Sequence, residues 1–402
     1  PDITLPAVTS LTALPPAHAR KALSILEGAS LVDRRPRGRY AMHDLIRSYA
    51  TTTASCLAEE IRDTALRRVL DFYTHTAHAA EHLLNPHAQL PQLAPPTPGA
   101  QPQPLSNIPE VLDWFETEHS NLLAAQQIAI AYNWGHTVWL ASVLSTFHTW
   151  RGHRRDRLAV WQAALDAAAR MNDPVTHTLA HRIVGRSYAD LGSHEQAIGH
   201  LRQALALAEH HNDPIQQAHT HRMLAWAWER RGNFRQALKH AGRAKNLYQD
   251  LNQSIWEADA LNAVGWLTAH LGDYDTARAH CQIGLTLFRQ HRHSEGQAHT
   301  LNSLGYIAHR TGHHRQAIDH YRQALPLFRS LGATTSVADT LDTLGQADTA
   351  LGQHDQARAA WREALELYRE QGRDTDADRV QKQLDELDNT TNRSADAAAD
   401  RP

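Results

Sequence analysis

The chain has 402 residues, which suffices for one long repeat array or for two to three domains. Its formal net charge of −3 excludes a strong overall attraction to nucleic acid or membrane. Cys56 and Cys281 are too few for a disulfide framework, which predicts a cytoplasmic protein, and no apolar run approaches the about 18 residues of a membrane span. Since Pro1 stands where a methionine is expected, we expect the chain to be part of a longer protein.

Residues 1–55 predict a helix, a β-hairpin and a second helix. The helix covers 17–29, and two short strands, Leu31-Val32 and Tyr40-Met42, flank a turn rich in arginine, proline and glycine. The next helix begins near Asp44, which can cap its first turn. This order is typical of the end of a small winged-helix domain, of which residues 1–55 would be a remnant.

The predicted hairpin tip carries four arginines: Arg34, Arg35, Arg37 and Arg39. A wing of this kind can contact DNA phosphates. No recognition-helix pattern accompanies these residues, so a solvated hairpin explains them better. DNA contact through the wing stays open as the weaker interpretation.

A helical connector is predicted over 56–133. Apolar residues recur with helical spacing over 57–84 and again over 110–131. Between them, the segment 85–109 contains eight prolines and no regular pattern, which predicts an irregular loop.

From residue 174 onward the sequence repeats with a period of 40 residues. In each unit a glycine precedes an alanine by five positions, as in Gly192 and Ala197. Further small residues stand seven before that glycine and seven after that alanine. The units cover 174–213, 214–253, 254–293, 294–333 and 334–373.

Small residues at these spacings let two antiparallel helices cross closely, which is what tetratricopeptide (TPR) helix pairs require. A degenerate unit over 134–173 opens the array, so that the TPR array covers 134–373. A capping helix over 374–388 and a disordered tail over 389–402 follow it. The predicted fold is an all-α, TPR-type right-handed solenoid of 40-residue repeats, preceded by the winged-helix remnant with one hairpin.

The first helix of each unit is expected to line a concave groove with one stripe of side chains. Arginines lie toward the N-terminal end, and asparagines in consecutive units can each bind a peptide bond of an extended ligand. We therefore predict a protein, a peptide or a small effector as the partner. The alternative is that the aromatic residues pack between helices and the polar ones are merely solvated. The predicted groove residues are Arg182, Arg186, Arg222, Trp226, Glu229, Asn262, Trp266, Asn302, Tyr306, His309, Asp342 and Gln346.

Neither a metal site nor a catalytic site is predicted. The 29 histidines show no HExxH motif and no Cys/His spacing typical of zinc. The chain has no Gly-x-Ser-x-Gly motif, and the phosphate-binding motif Gly-x-x-x-x-Gly-Lys-[Ser/Thr] is absent as well. We expect a chain that is not an enzyme and that holds no cofactor of its own.

Two stretches resemble a known family. The segment 38–50, with Met42-His43-Asp44, resembles the end of the winged-helix domain in STAND-type NB-ARC ATPases. The segment 113–125, followed by TPR units, resembles the region after that domain in large SARP-type bacterial transcriptional regulators. The resemblance implies that His43 contacts ADP phosphates and that the full-length protein uses ADP or ATP with magnesium.

The same resemblance implies a nucleotide-switch domain of the same protein as a partner, and DNA binding through a domain outside this chain. The predicted function is therefore the ligand-sensing TPR region of a STAND-type regulator that relays groove occupancy to that switch and controls transcription. Two alternatives stay open. One is a DNA-binding winged-helix module whose array serves as a dimerisation scaffold, and the other is the sensor of a STAND ATPase in antiviral defence.

Overall fold

The computed structural model describes residues 1–86, 90, 92–171 and 173–399, with side chains to residue 388. Residues 87–89 and 91 of the predicted proline-rich loop and residues 400–402 of the predicted tail lie outside this range. Contacts divide the chain into two units, one of residues 1–147 and 159–171 and one of residues 148–158 and 172 onward.

The chain begins with a small three-stranded antiparallel sheet in the order β1-β3-β2. Its strands are β1 (Ile3–Thr4), β2 (Asp33–Arg35) and β3 (Arg39–Ala41). The helices around and after the sheet are α1 (Leu5–Thr12), α2 (Pro16–Gly28), α3 (Asp44–Ser55), α4 (Glu59–Leu84) and α5 (Ile108–Ala131).

A hairpin forms where one is predicted, but its first strand is Asp33–Arg35 and not Leu31-Val32. Arg34 lies opposite Tyr40, and a 3-10 turn at 36–38 joins the strands. The structure adds β1 and α1, which the sequence pattern did not indicate. A strand of two residues is too short to show alternation, and β1 exists only because Ile3 pairs with Tyr40. The loop that precedes α5 is fixed by side chains, since Asp71 accepts hydrogen bonds from the backbone and hydroxyl of Thr97 at 2.8 and 2.6 Å.

The degenerate unit differs from the later ones because its first helix is interrupted at Leu144. It consists of α6 (His136–Val143), α7 (Ser145–Arg151) and α8 (Arg154–Ala168). Its glycine, Gly152, has the positive φ of the later units, at 77°.

Five helix pairs follow, starting at the first residue of each predicted unit. They are α9 (Pro174–Asp190) with α10 (His194–His210), α11 (Pro214–Arg230) with α12 (Phe234–Asp250), α13 (Ser254–His270) with α14 (Tyr274–Gln290), α15 (Ser294–Arg310) with α16 (His314–Leu331), and α17 (Thr334–Ala350) with α18 (His354–Glu370). The predicted fold class, a TPR-type helical solenoid, is confirmed, with the small sheet as its only β-structure among the described residues.

The small residues have the two roles that the pattern predicts. The glycine at each turn, such as Gly192 with φ of 80°, ends the first helix in the left-handed region. The small residue seven positions earlier lies where the paired helices cross, so a Cβ on Gly185 would stand 3.0 Å from the carbonyl oxygen of Ala197.

The last helix, α19 (Asp374–Ala399), continues past residue 388, the predicted end of the capping helix. The physical reason lies in the composition after Arg373, because neither glycine nor proline interrupts the helix before Asp400. The side chains of Val380, Leu384 and Leu387 are buried, as expected of a helix that covers the last apolar face.

Two histidine pairs lie between paired helices of the array. The Nδ1 atoms of His181 on α9 and His200 on α10 are 3.1 Å apart. One unit later, the Nδ1 atoms of His221 and His240 are 3.0 Å apart. Burial is the main reason why the pKa of His221 is lowered to about 4, and Arg243 lowers it further.

We expect these pairs to make the array less stable in acid. Burial, followed by His221, Arg243, Lys239 and Arg202, lowers the pKa of His240 to about 4 as well. Folding thus favours the neutral rings, so the contribution is complete above pH about 6.5 and is lost as the pH falls toward about 4. Urea titrations at pH 7 and pH 4.5 should show a free energy of unfolding lower by at least about 2 kcal/mol at the acidic pH. The variant His221→Gln/His240→Gln should show a smaller difference between the two pH values, and an equal difference would contradict this assignment.

Candidate ligand-binding groove

The predicted groove residues lie on the first helices of successive units, and several of them bond to a neighbouring unit. Trp226 on α11 donates its indole N–H to Asp190 on α9 at 2.8 Å. Trp266 on α13 donates in the same way to Glu229 on α11 at 2.6 Å. These bonds, at sequence separations of 36 and 37, connect the first helices of neighbouring units.

Aromatic rings continue this row toward the C-terminal end. The ring of Trp266 lies 4.8 Å from that of Tyr306 on α15, and His270 stacks on the same tyrosine at 4.8 Å. The half-buried rings of Trp226, Trp266 and Tyr306 each keep part of their surface open. Such rings give a ligand flat apolar surface without a large cost in side-chain entropy.

The arginines of the groove are held by specific partners. Arg222 lies 3.3 Å from the carboxylate of Asp259 and 5.0 Å from the ring centre of Trp256. Burial is the main reason why the pKa values of Arg182 and Arg186 are lowered to about 10. Both guanidinium groups still carry their charge at neutral pH.

The prediction that Arg182 and Asp342 contact the ligand directly is wrong, because both side chains are buried. Arg182 is only 7% exposed and donates to the side chain of Gln216 at 2.6 Å. Asp342 is 4% exposed, and its carboxylate accepts a hydrogen bond from Arg379 on α19 at 2.5 Å. The charge of Asp342 is thus paired within the array, whereas Arg182 bonds to a neutral amide and its buried Nε has no partner among the described residues.

The two asparagines of the predicted stripe lie on α13 and α15. Asn262 and Asn302 are half-buried, and the amide oxygen of Asn302 bonds to no group among the described residues. Asn262 accepts only a long contact of 3.6 Å from the thiol of Cys281. A buried amide oxygen without a donor is uncommon in folded proteins, which makes Asn302 a candidate for bonding to a ligand. His309 faces His314 at 3.2 Å, and Gln346 donates to Asp342 at 3.3 Å.

The segment 148–158 also lies against these helices. Trp150 donates its indole N–H to Glu295 on α15 at 3.1 Å, and its carbonyl oxygen accepts from Thr334 and Thr335 at 3.3 Å each. Arg157 is 3% exposed and forms an ion pair with Asp190. Trp150 thus bonds to residues that lie between 145 and 185 positions after it in the sequence.

Two acidic residues of the groove, Asp190 and Glu295, were missed in the sequence. Asp190 is the last residue of α9, one helical turn after Arg186. Burial alone would raise the pKa of Asp190, but Arg157 and Arg186 hold it below its ordinary value. The recurrence of tryptophan at 226 and 266 could have indicated an acceptor on the preceding helix, since a buried indole N–H needs one.

The arginines of the hairpin are not equivalent in the structure. Arg39 is 7% exposed and pairs with Asp2 at 2.6 Å and Glu118 at 2.5 Å. The prediction that Arg39 contacts DNA is therefore wrong. Arg37 is exposed but bonds to Asp113 at 3.1 Å, whereas Arg34 and Arg35 are exposed.

His43 stands at the start of α3 with an exposed side chain. Its Nε2 lies 3.3 Å from the carboxylate of Asp33. Its contact with nucleotide phosphates stays a prediction that depends on the resemblance alone.

Comparison with known families identifies the repeats. Family models described as tetratricopeptide repeat match residues 218–243, 256–330 and 337–370. These parts of the array are tetratricopeptide repeats. Such a TPR region is a non-catalytic scaffold whose stacked helix pairs present a binding surface.

Two curated relatives match part of the chain. Regulatory protein AfsR from Streptomyces griseus is 37% identical over 135 residues, which is 33% of this chain and 14% of that protein. Regulatory protein AfsR from Streptomyces coelicolor is 35% identical over 131 residues, or 31% of this chain and 13% of that protein. The match therefore spans about one seventh of the length of either regulator. This TPR protein thus has partial homology to both.

Solved structures with a similar arrangement have low sequence identity. A Signal Transduction ATPase with Numerous Domains (STAND) protein with a tetratricopeptide repeat sensor from Pyrococcus horikoshii is 13% identical, with a TM-score of 0.47. The alignment covers 96% of this chain and 60% of that one. A Rap protein complexed with Competence and Sporulation Factor is also 13% identical, with a TM-score of 0.48 and coverage of 63% and 76%. Within the described residues, no helix has the length and apolar character of a transmembrane span.

Proposed function

We propose that this chain is the ligand-sensing TPR region of a STAND-type regulator that controls transcription. Its first helices would bind an extended peptide or protein segment, or a small effector, and the bound groove would bias a nucleotide switch of the same protein. Partial homology to the regulatory protein AfsR and the Met42-His43-Asp44 segment support this class.

The observation that carries the proposal is the unsatisfied amide oxygen of Asn302. Its amide oxygen is buried and has no donor among the described residues, and the rings of Trp266 and Tyr306 lie beside each other on the same row of helices. A peptide backbone supplies N–H donors along its length, so an amide side chain next to aromatic surface suits an extended ligand. A ligand must favour one arrangement of array and switch if its binding is to pass a signal.

Because the TPR region is a scaffold, we propose no catalytic role for this chain, and ADP or ATP with magnesium would act only in the full-length protein. For the rival DNA-binding function, Arg39 is held in a buried ion pair, which leaves Arg34 and Arg35 as the exposed arginines of the hairpin.

The groove assignment can be tested by a pull-down with three baits. These are the wild-type chain, Asn262→Ala/Asn302→Ala, and the control Gln282→Ala/Gln323→Ala, whose side chains are exposed on second helices. Loss of two ligand hydrogen bonds should cost about 1–3 kcal/mol, or roughly a tenfold to hundredfold drop in affinity. We expect the partner that the wild type recovers to be lost with the groove variant and retained with the control. Equal recovery with all three baits would show that the ligand binds elsewhere.

A further inference from the structure

Histidine recurs at one position of the second helices, as His200, His240, His280 and His320. In the first two full units, a histidine of the first helix faces it with the two Nδ1 atoms 3.1 and 3.0 Å apart. The first of these pairs has a third histidine beside it, because His177 precedes His181 by one helical turn on α9. The corresponding position of the next unit is Gln217.

We propose that His177, His181 and His200 form a binding site for a divalent transition-metal ion of the Zn²⁺ class. The site would tie α9 to α10 in the first full TPR unit. This inference is independent of the proposed ligand groove, since His181 and His200 face each other between the paired helices of one unit and neither belongs to the predicted groove residues.

The two measured pairs have the spacing of ligands on a tetrahedral ion, and His177 completes the set of three only when its ring turns toward the facing pair. With metal–nitrogen bonds of about 2.05 Å, two tetrahedral ligand nitrogens stand about 3.3 Å apart and their imidazole ring centres about 5.2 Å apart. The rings of His181 and His200 have centres 5.3 Å apart, and those of His177 and His181 are 5.0 Å apart. Tyr188 stacks on His200 at 5.6 Å and helps to fix its orientation.

The protonation chemistry also fits a metal site, because a metal ligand must be a neutral imidazole. Burial is the main reason why the pKa of His181 is lowered to about 4, and the neighbouring His177 and His200 lower it further. In the metal-free pair, one Nδ1–H donates to the other Nδ1. Metal binding moves that proton to the Nε2 of the same ring, so both rings stay neutral and no net proton is released. His177 must turn its ring toward the facing Nδ1 atoms, and solvent supplies the fourth ligand.

The second histidine pair serves as an internal comparison, since its surroundings oppose a cation. Arg243 acts on both His221 and His240, and Lys239 and Arg202 act on His240 as well. For the first pair, the groups that lower the pKa of His181 are only other histidines. We therefore expect the first pair to bind the ion more tightly, both for its third ligand and for its weaker positive field.

The test is a competition titration of the full chain with Zn²⁺ against a chromophoric chelator, together with visible absorption of the Co²⁺ form. Loss of a hydrogen-bond partner behind a ligand already costs about 10–100-fold in affinity, so His177→Gln should weaken the tightest site at least about tenfold. The variant His181→Gln/His200→Gln should abolish that site. The control His221→Gln/His240→Gln should retain it with an unchanged Co²⁺ spectrum.

A second measurement separates metal binding from misfolding. Saturating Zn²⁺ should raise the melting temperature of the wild type more than that of His177→Gln, while the two chains melt alike without metal. Equal Zn²⁺ affinity in the wild type and His177→Gln would overturn the proposal. It would also be overturned by an equal loss in His221→Gln/His240→Gln, because the ion would then be bound only adventitiously by many histidines.

Discussion

Gly345→Ala is expected to destabilise the array by about 2–3 kcal/mol, the typical cost of overpacking a close helix contact. A Cβ at this position would stand 2.5 Å from Nε1 and 2.7 Å from Cδ1 of Trp361, which is 4% exposed. The indole also donates to the carbonyl oxygen of Asp342 at 3.1 Å, so a shift of the ring would weaken a buried hydrogen bond. Urea unfolding monitored by circular dichroism measures the change.

The repeat itself supplies the controls for this prediction. At the equivalent positions of the second full unit, Ala225 and Ala241 belong to one core cluster, so two alanines fit at this crossing. Gly345→Ala should therefore cost less than about 0.5 kcal/mol in a Trp361→Ala background, which a double-mutant cycle measures. Gly199→Ala should instead stabilise its helix by about 0.5–1 kcal/mol, because a Cβ there meets no atom within 4 Å. Equal effects of Gly345→Ala in both backgrounds would contradict the steric explanation.

Arg157→Ala is expected to cost about 3 kcal/mol, because removal of one partner leaves a buried charge uncompensated. Arg157 pairs with Asp190, and it also donates to the hydroxyls of Ser187 and Thr149 at 3.1 and 3.0 Å. Trp226 and Arg186 remain near the carboxylate of Asp190 and keep the cost below the upper end of the range for buried pairs. The variant should also release the segment 148–158 from α9.

Hydrogen–deuterium exchange distinguishes this release from general destabilisation. Amides over 148–158 should exchange faster in Arg157→Ala, while those of α14 should keep their wild-type rates under native conditions. The control Glu363→Gln removes an ion pair with Arg329 at the surface, where the side chain of Glu363 is 45% exposed and that of Arg329 is 50% exposed. It should change the free energy of unfolding by less than about 1 kcal/mol. An Arg157→Ala chain with unchanged exchange over 148–158 would show that the pair does not hold the segment.

The sequence predicted the helix pairs well because their determinants are local. A glycine such as Gly192 must adopt positive φ at the turn, and Gly185 must let α9 and α10 approach, whatever the rest of the chain does. Both requirements recur every 40 residues, which makes them visible without an alignment.

The candidate groove was only partly predictable, since the stripe on the first helices does not show which of its side chains are free. Asp342 meets Arg379, and Arg182 meets Gln216, each across a joint between units. Such partners lie 34 to 37 residues away, and their rotamers decide whether a charge faces a ligand or a neighbouring helix.

The sequence by itself determined that this protein is a TPR solenoid, because small residues at a fixed period specify how paired helices cross. Only the tertiary structure decided which polar residues are available. It buried Arg39 and Asp342 in ion pairs, left the amide oxygen of Asn302 without a donor among the described residues, and brought Trp150 to Glu295. The physical reason is that a buried charge or donor must find a partner in space, and the partner's distance along the chain leaves no periodic signal.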